Sequence, residues 1–187
     1  SSKDGRYLLS YNGEIYNFAL IRRELENEGE IFNTESDTEV LLRLFEKHGE
    51  KCLKELEGMF AFCIYDKQTK RWFIARDRMG IKPLYYYIGK NTVAITSDLK
   101  AFQKVDFIPK KIDRQAIWQY LHYGFVPQPQ SIFQEVKKLL PGHYGWITED
   151  FKIEIHRYWS IDDVAVRDGL SNDVERFDEL FIKSVEK

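Results

Sequence analysis

Between residues 58 and 96 the chain carries four short β segments, at 60–65, 72–76, 84–88 and 92–96, parted by polar or glycine-bearing turns. Strands this short are unstable singly. The pattern therefore predicts an antiparallel meander, and the rest of the chain must supply what packs around it.

Upstream, residues 6–11 alternate as a strand does, and Asn12-Gly13 is read as breaking it, because both residue types tolerate backbone that strands forbid. That reading puts 12–14 at a strand end. Asn17 can cap a helix whose apolar positions Phe18, Ile21 and Leu25 share one face, ending at Gly29. Ser36-Asp37-Thr38-Glu39 has capping-box spacing. Val40, Leu41, Leu44 and Phe45 then form the stripe of a second helix that stops near Gly49, with Asp37 in its first turn.

Downstream, Asp113 can cap a helix bearing Ile117, Tyr120 and Leu121, before a loop at 124–130 that contains Pro127 and Pro129. Residues 142–148 and 151–155 read as a hairpin around Glu149-Asp150. A polar stretch near 160–171 marks a domain boundary, giving a main domain at 1–160 and a linker with a first helix at 161–187. Asn172 can cap that helix, which carries Val174, Phe177, Leu180, Phe181 and Val185. An apolar stripe there needs a partner, either the main domain or the remainder of a second one.

Composition removes several functional classes. A hydrophobic content of 43% with 15% aromatics predicts an ordered globule, and 28 basic against 30 acidic residues leave no field to draw nucleic acid or anionic lipid. No apolar run approaches the roughly 20 residues of a membrane span, and residues 1–5 form no signal peptide, so a soluble cytoplasmic protein is expected. Cys52 and Cys63 cannot build a disulfide framework and, with four scattered histidines, show no metal-ligand spacing. They read as reduced packing residues.

Three blocks carry a more specific signal: YNGEIYN at 11–17, SDTEV at 36–40, and LEGMFAFCIYDKQTKRWFIARDRMGIKPLYYY at 56–87. SDLKAF at 97–102, LLPGHY at 139–144 and Arg157-Tyr158-Trp159 extend them in order along nearly the whole chain. Together they resemble the class II glutamine amidotransferase domain of asparagine synthetases, and an ordered set is far more specific than any lone motif. The resemblance implies an α+β fold of the N-terminal-nucleophile hydrolase type, a four-layer α/β/β/α sandwich of antiparallel sheets, here without its N-terminal strands.

The same resemblance implies the chemistry. In the family, a terminal cysteine activated by its own amino group attacks the side-chain amide of L-glutamine. Asn12 and Gly13 would supply the oxyanion hole, one through its side-chain amide and the other through its backbone N–H, and both would bind substrate. Glu14 and Asp37 match the acids that hold the substrate ammonium. The catalytic cysteine and the carboxylate-binding arginine belong to a segment upstream of residue 1, so the 187 residues alone are expected to be inactive. Ser1 precedes Asn12 by too little to replace that nucleophile, and neither internal cysteine has a paired base nearby in sequence.

Residues 76–83, dense in charge, read as a loop fixed by a buried or half-buried Arg and Asp, with contact to a synthetase domain as the alternative. Asp98 stands where the family usually has glutamate. No metal is expected here. ATP and Mg²⁺ are expected for a synthetase domain in cis that amidates aspartate, and a homodimer is compatible with the resemblance. Two alternatives remain open at this point: an amidotransferase with a sugar or cell-wall acceptor, and a non-catalytic relict domain.

Overall fold

The computed structural model describes residues 1–163 and 173–185, in which two antiparallel sheets lie face to face between helical layers. The first sheet has the order β1-β2-β3-β7-β8, formed by Tyr7–Ile15, Gly58–Asp66, Arg71–Arg76, His143–Ile147 and Ile153–Arg157. The second has the order β5-β4-β6, with β4 at Tyr85–Ile88, β5 at Val93–Thr96 and β6 at Val136–Lys138. The expected single meander is thus divided. β2 and β3 pair with each other, β4 and β5 pair with each other, and the loop at 77–84 carries the chain from one sheet to the next.

Side-chain alternation along β1 and β2 sorts the two faces. Tyr7, Leu9, Tyr11 and Ile15 point to the same side as Phe60, Phe62 and Ile64, where helices α1 (Phe18–Asn27) and α2 (Asp37–His48) bring Ile21, Leu25, Val40, Leu41, Leu44 and Phe45. Phe60, Phe62 and Phe73 are almost wholly buried there, each contributing about 1.5–3 kcal/mol. On the opposite face, Ala61 and Ile74 meet Leu84, Tyr86 and Leu139 of the second sheet region. Beyond that sheet, Tyr87 and Val136 pack against Phe102, Ile108 and Phe133. The order helix, sheet, sheet, helix is the predicted four-layer arrangement.

Several local expectations change. β1 is not broken at Asn12-Gly13: it runs unbroken to Ile15, because its whole length pairs with β2, Asn12 opposite Ala61 and Gly13 opposite Phe60. Asn17 does not cap α1 with its side chain. Its amide instead donates to the Glu55 carbonyl at 2.8 Å and accepts from the Glu57 N–H at 3.0 Å, which ties the end of β1 to the approach of β2.

Ser36 does cap α2, its Oγ accepting the Thr38 N–H at 3.1 Å. Glu39 departs from a capping box, however, and binds the N–H groups of Asn33 and Thr34. A short helix, α3 (Leu99–Gln103), and strand β6 have no counterpart in the predicted elements. α3 is capped by Asp98, which accepts the Lys100 N–H at 2.9 Å; aspartate is as good a cap as that position needs.

Asp113 caps α4 (Arg114–Tyr123) as expected. The predicted apolar face of α4 does not pack. Ile117, Tyr120 and Leu121 are exposed, and Ala116 is the buried residue of the helix. Helix α5 (Asp173–Val185) likewise leaves Val174, Phe177, Leu180, Phe181 and Val185 exposed, so its stripe does not dock on the sandwich. The proposed cap Asn172 and most of the polar boundary lie outside the described residues.

Candidate functional site

β1 is an edge strand, and its register decides which backbone groups are available. The Tyr16 N–H donates to the Glu57 carbonyl and the Lys67 N–H to the Arg6 carbonyl, so even-numbered residues of β1 turn their backbone groups toward β2. Odd-numbered residues turn theirs to the open rim. The two ends of that rim are anchored: Tyr7 exchanges hydrogen bonds with Ser2, and the Ile15 N–H donates to Asp37 Oδ2 at 3.2 Å. Between them the N–H of Gly13 faces outward.

Gly13 holds that place because nothing larger fits. A Cβ at residue 13 would lie 2.3 Å from the Met59 carbonyl oxygen and 2.7 Å from the Phe60 Cα. The partner strand reciprocates at Gly58, where φ is +148° and a Cβ would stand 2.1 Å from the Glu14 carbonyl oxygen. Two glycines therefore bring the strands together where the chain must expose a backbone donor.

Asn12, on the even face, points toward the second sheet and helps to line a cavity of about 360 Å³ with Ser10, Cys63, Leu84 and Thr96. Its side-chain amide makes no hydrogen bond among the described residues, nor does the exposed Glu14 carboxylate, which alternation puts on the same face. Asp37, the first residue of α2, is half-buried at the rim. Its Oδ2 accepts from the Tyr11 hydroxyl at 2.7 Å as well as from Ile15, while Oδ1 has the Thr38 hydroxyl at 3.3 Å. Asn12, Gly13 and Glu14 thus follow one another along β1, and Asp37 meets the same stretch from the start of α2 through Tyr11 and Ile15.

Tyr11 opens the heptapeptide at 11–17, yet no local sequence signal marks it as part of the site. Alternation gives it the helix-facing side; nothing local says that its hydroxyl would meet a residue 26 positions away. Burial, then the bond to Asp37, hold its phenol well above the ordinary tyrosine range.

The charged segment after β3 supports the strand pair from the other side. Asp77 is buried and accepts four backbone N–H groups, from Phe60 at 3.2 Å, Met79 at 3.1 Å, Ile81 at 2.9 Å and Lys82 at 3.0 Å. Arg76, also buried, donates to the carbonyls of Lys82, Leu139 and Gly80, each at 2.7 Å, and to Gln128 Oε1 at 2.6 Å. The two charges fix the loop as expected, through backbone groups and not through each other. Since Phe60 is the cross-strand partner of Gly13, Asp77 sits one strand behind the candidate donor.

Neither cysteine is poised to react. Burial pushes the Cys63 thiol up to about 12, and burial followed by Glu55 and Glu50 raises that of Cys52 further. No helix among the described residues is long and apolar enough to cross a membrane.

This arrangement of facing antiparallel sheets between helical layers has clear counterparts. A glutamine phosphoribosylpyrophosphate amidotransferase from B. subtilis superposes with a TM-score of 0.60 at 25% identity, over 85% of this chain and 30% of that one. A structure described as the allosteric regulatory enzyme of purine biosynthesis superposes with a TM-score of 0.60 at 26% identity. The fold is therefore that of the N-terminal-nucleophile amidotransferases.

Residues 1–159 match the family model for the glutamine amidotransferase domain, and the chain belongs to that family. Among sequence relatives, asparagine synthetase [glutamine-hydrolyzing] 1 of Bacillus subtilis is 41% identical over 159 residues, covering 85% of this chain and 25% of the relative. A putative asparagine synthetase [glutamine-hydrolyzing] 2 of Methanocaldococcus jannaschii is 41% identical over 160 residues, covering 83% of this chain and 30% of the relative. The chain thus spans less than a third of the length of these relatives, and corresponds to their N-terminal part. They favour the amidotransferase domain of asparagine synthetases over another acceptor class or a relict.

Proposed function

We propose that these residues form the glutamine-holding part of an asparagine synthase, which hydrolyses glutamine to supply ammonia for ATP-dependent amidation of aspartate in a synthetase domain in cis. The observation that carries the reading is the pair of uncommitted donors on β1, the Asn12 amide and the Gly13 N–H, with Glu14 and Asp37 beside them. A thiolate that adds to the glutamine amide carbon pushes charge onto the amide oxygen. Donors already fixed in a strand stabilise that oxygen without reorganising, and the C–N bond then breaks to release ammonia. The thioester left behind is hydrolysed by water to glutamate and free thiol.

Glu14 and Asp37 account for selection of an amino-acid amide over a simple amide, since each offers a carboxylate oxygen to the substrate ammonium. Gly13 contributes through its backbone, so side-chain replacement cannot abolish its donor but can displace it. The nucleophile would come from residues upstream of Ser1. ATP and Mg²⁺ belong to the synthetase part, for which residues 1–163 offer no assigned ligand.

Replacing Asn12 tests the assignment. In the full-length protein, Asn12→Ala should lower glutamine-dependent asparagine formation by about 100-fold or more, while synthesis from added ammonia is retained. Equal loss of both activities would mean that Asn12 supports the fold and not the oxyanion.

A further inference from the structure

Tyr11 lies outside the set of donors and acids assigned to glutamine, although its phenol commits to one of those acids. We propose that Tyr11 is a positioning residue that aims the Asp37 carboxylate at the substrate ammonium, and that it thereby sets the affinity for glutamine. This inference rests on the assignment of Asp37 to the glutamine site.

The geometry carries it. Asp37 Oδ2 receives two donors from β1, the Tyr11 hydroxyl at 2.7 Å and the Ile15 N–H at 3.2 Å. Those residues flank Gly13 on the odd-numbered side of the strand, so the two bonds bracket the rim at which the Gly13 N–H faces out. With Oδ2 occupied twice, the carboxylate plane is fixed from the strand side. Oδ1, which among the described residues accepts a hydrogen bond from the rotatable Thr38 hydroxyl alone, at 3.3 Å, is left for a cation. A single bond from Ile15 would hold one oxygen but leave the carboxylate free to turn about it; the second, from a side chain anchored in the helix-facing core layer, removes that freedom. Tyr11 touches no reacting atom in this scheme. It acts through Asp37 alone.

The bond also joins two elements. Asp37 begins α2 and Tyr11 lies in β1, so the clamp holds the N-terminal turn of that helix against the rim of the sheet. Loss of the hydroxyl should let the carboxylate swing with the helix terminus, weakening ground-state and transition-state binding of glutamine alike. The signature is a raised KM with kcat nearly unchanged.

The test is a double-mutant cycle in the full-length protein, with glutamine-dependent and ammonia-dependent synthesis both measured. Tyr11→Phe should raise the glutamine KM about tenfold, the usual scale of a hydrogen bond to a charged group, and leave ammonia-dependent synthesis near that of the parent, with a modest loss of thermal stability from the bond removed. In an Asp37→Asn background the same replacement should add little. Tyr7→Phe, at another half-buried position on the same face, serves as the control and should leave the KM unchanged. A full tenfold effect of Tyr11→Phe in the Asp37→Asn background, or no effect in either, overturns the positioning role. Asn12→Ala in the same assays separates the two levels: if it leaves glutamine-dependent synthesis intact, the site assignment itself is wrong; if it abolishes that synthesis while Tyr11→Phe is silent, the error lies with Tyr11.

Discussion

Asp77→Asn is the substitution that most directly tests how the scaffold holds the donor strand. The carboxylate is 1% exposed, and its two oxygens share four backbone N–H donors, Met79 and Ile81 on Oδ1, Phe60 and Lys82 on Oδ2. An asparagine keeps the shape but turns one oxygen into an N–H₂ group. Whichever way the amide is turned, two N–H donors then face a donor. Each lost bond costs about 1 kcal/mol net, and an N–H left buried without a partner costs about 1–3 kcal/mol.

Phe60 is the buried donor of the four, whereas the other three lie in a part-buried loop that water can reach. The loss should therefore be about 2–4 kcal/mol, a large share of the 5–15 kcal/mol that holds a typical domain. Equilibrium denaturation in urea, comparing midpoints at constant slope, measures it. Asp150→Asn, in an exposed turn, should change stability by less than about 0.5 kcal/mol and is the matched control. If Asp77→Asn costs less than about 1 kcal/mol, the Asp77 network is not what fixes the loop, and its support of Phe60 and Gly13 falls with it.

Two further outcomes follow from the same strand pair. Gly13→Ala should destabilise the fold by about 1–3 kcal/mol, because its Cβ would meet the Met59 carbonyl at 2.3 Å, and should depress glutamine-dependent activity more than ammonia-dependent activity; a neutral result in denaturation would refute the close approach. The Arg6–Asp66 pair, at 2.7 Å, should make stability acid-sensitive: the bonds from Arg6 hold the Asp66 carboxyl well below the usual range, so the unfolded chain binds the proton first. Its contribution is present above the unfolded value near pH 4 and is lost as pH falls from there toward the depressed folded value. Asp66→Asn should flatten that part of the stability profile, and an unchanged acid profile would refute the linkage.

The elements most legible in the sequence are those whose signals are local. Ser36 capping and the stripe from Val40 to Phe45 specify α2 from neighbours within a few residues, and the structure buries that stripe. Asp113 announces α4 equally well, yet the face predicted to pack is exposed, because a helical period says which residues share a side and not whether anything lies opposite. The division of the meander into two sheets was illegible for a related reason. Whether β4 continues beside β3 or crosses to a new layer depends on the loop at 77–84, whose shape is set by Asp77 and Arg76 bonds to carbonyls and amides as distant as Leu139. Asn17 shows the same competition at one residue: it has the chemistry of a cap, but the Glu55 carbonyl and Glu57 N–H offer it a pair of partners from another element.

The difference between local signal and structure at Asn12-Gly13 bears most on function. Those residue types signal a turn, and in a turn their donors would point wherever the loop allowed. The structure keeps them in an extended strand, and glycine serves here through its missing Cβ, not through positive φ. A paired strand is a stiffer mount than a loop. The pairing with β2 fixes the spacing between the Asn12 side chain, which lines the cavity, and the Gly13 N–H at the adjoining rim. The register with β2 then determines which backbone amides face outward, and a slip of one residue would turn the Gly13 N–H inward to its neighbour. The close approach of the glycines at 13 and 58 opposes that slip, while the Asp77 bond to Phe60 fixes β2 against the loop behind it.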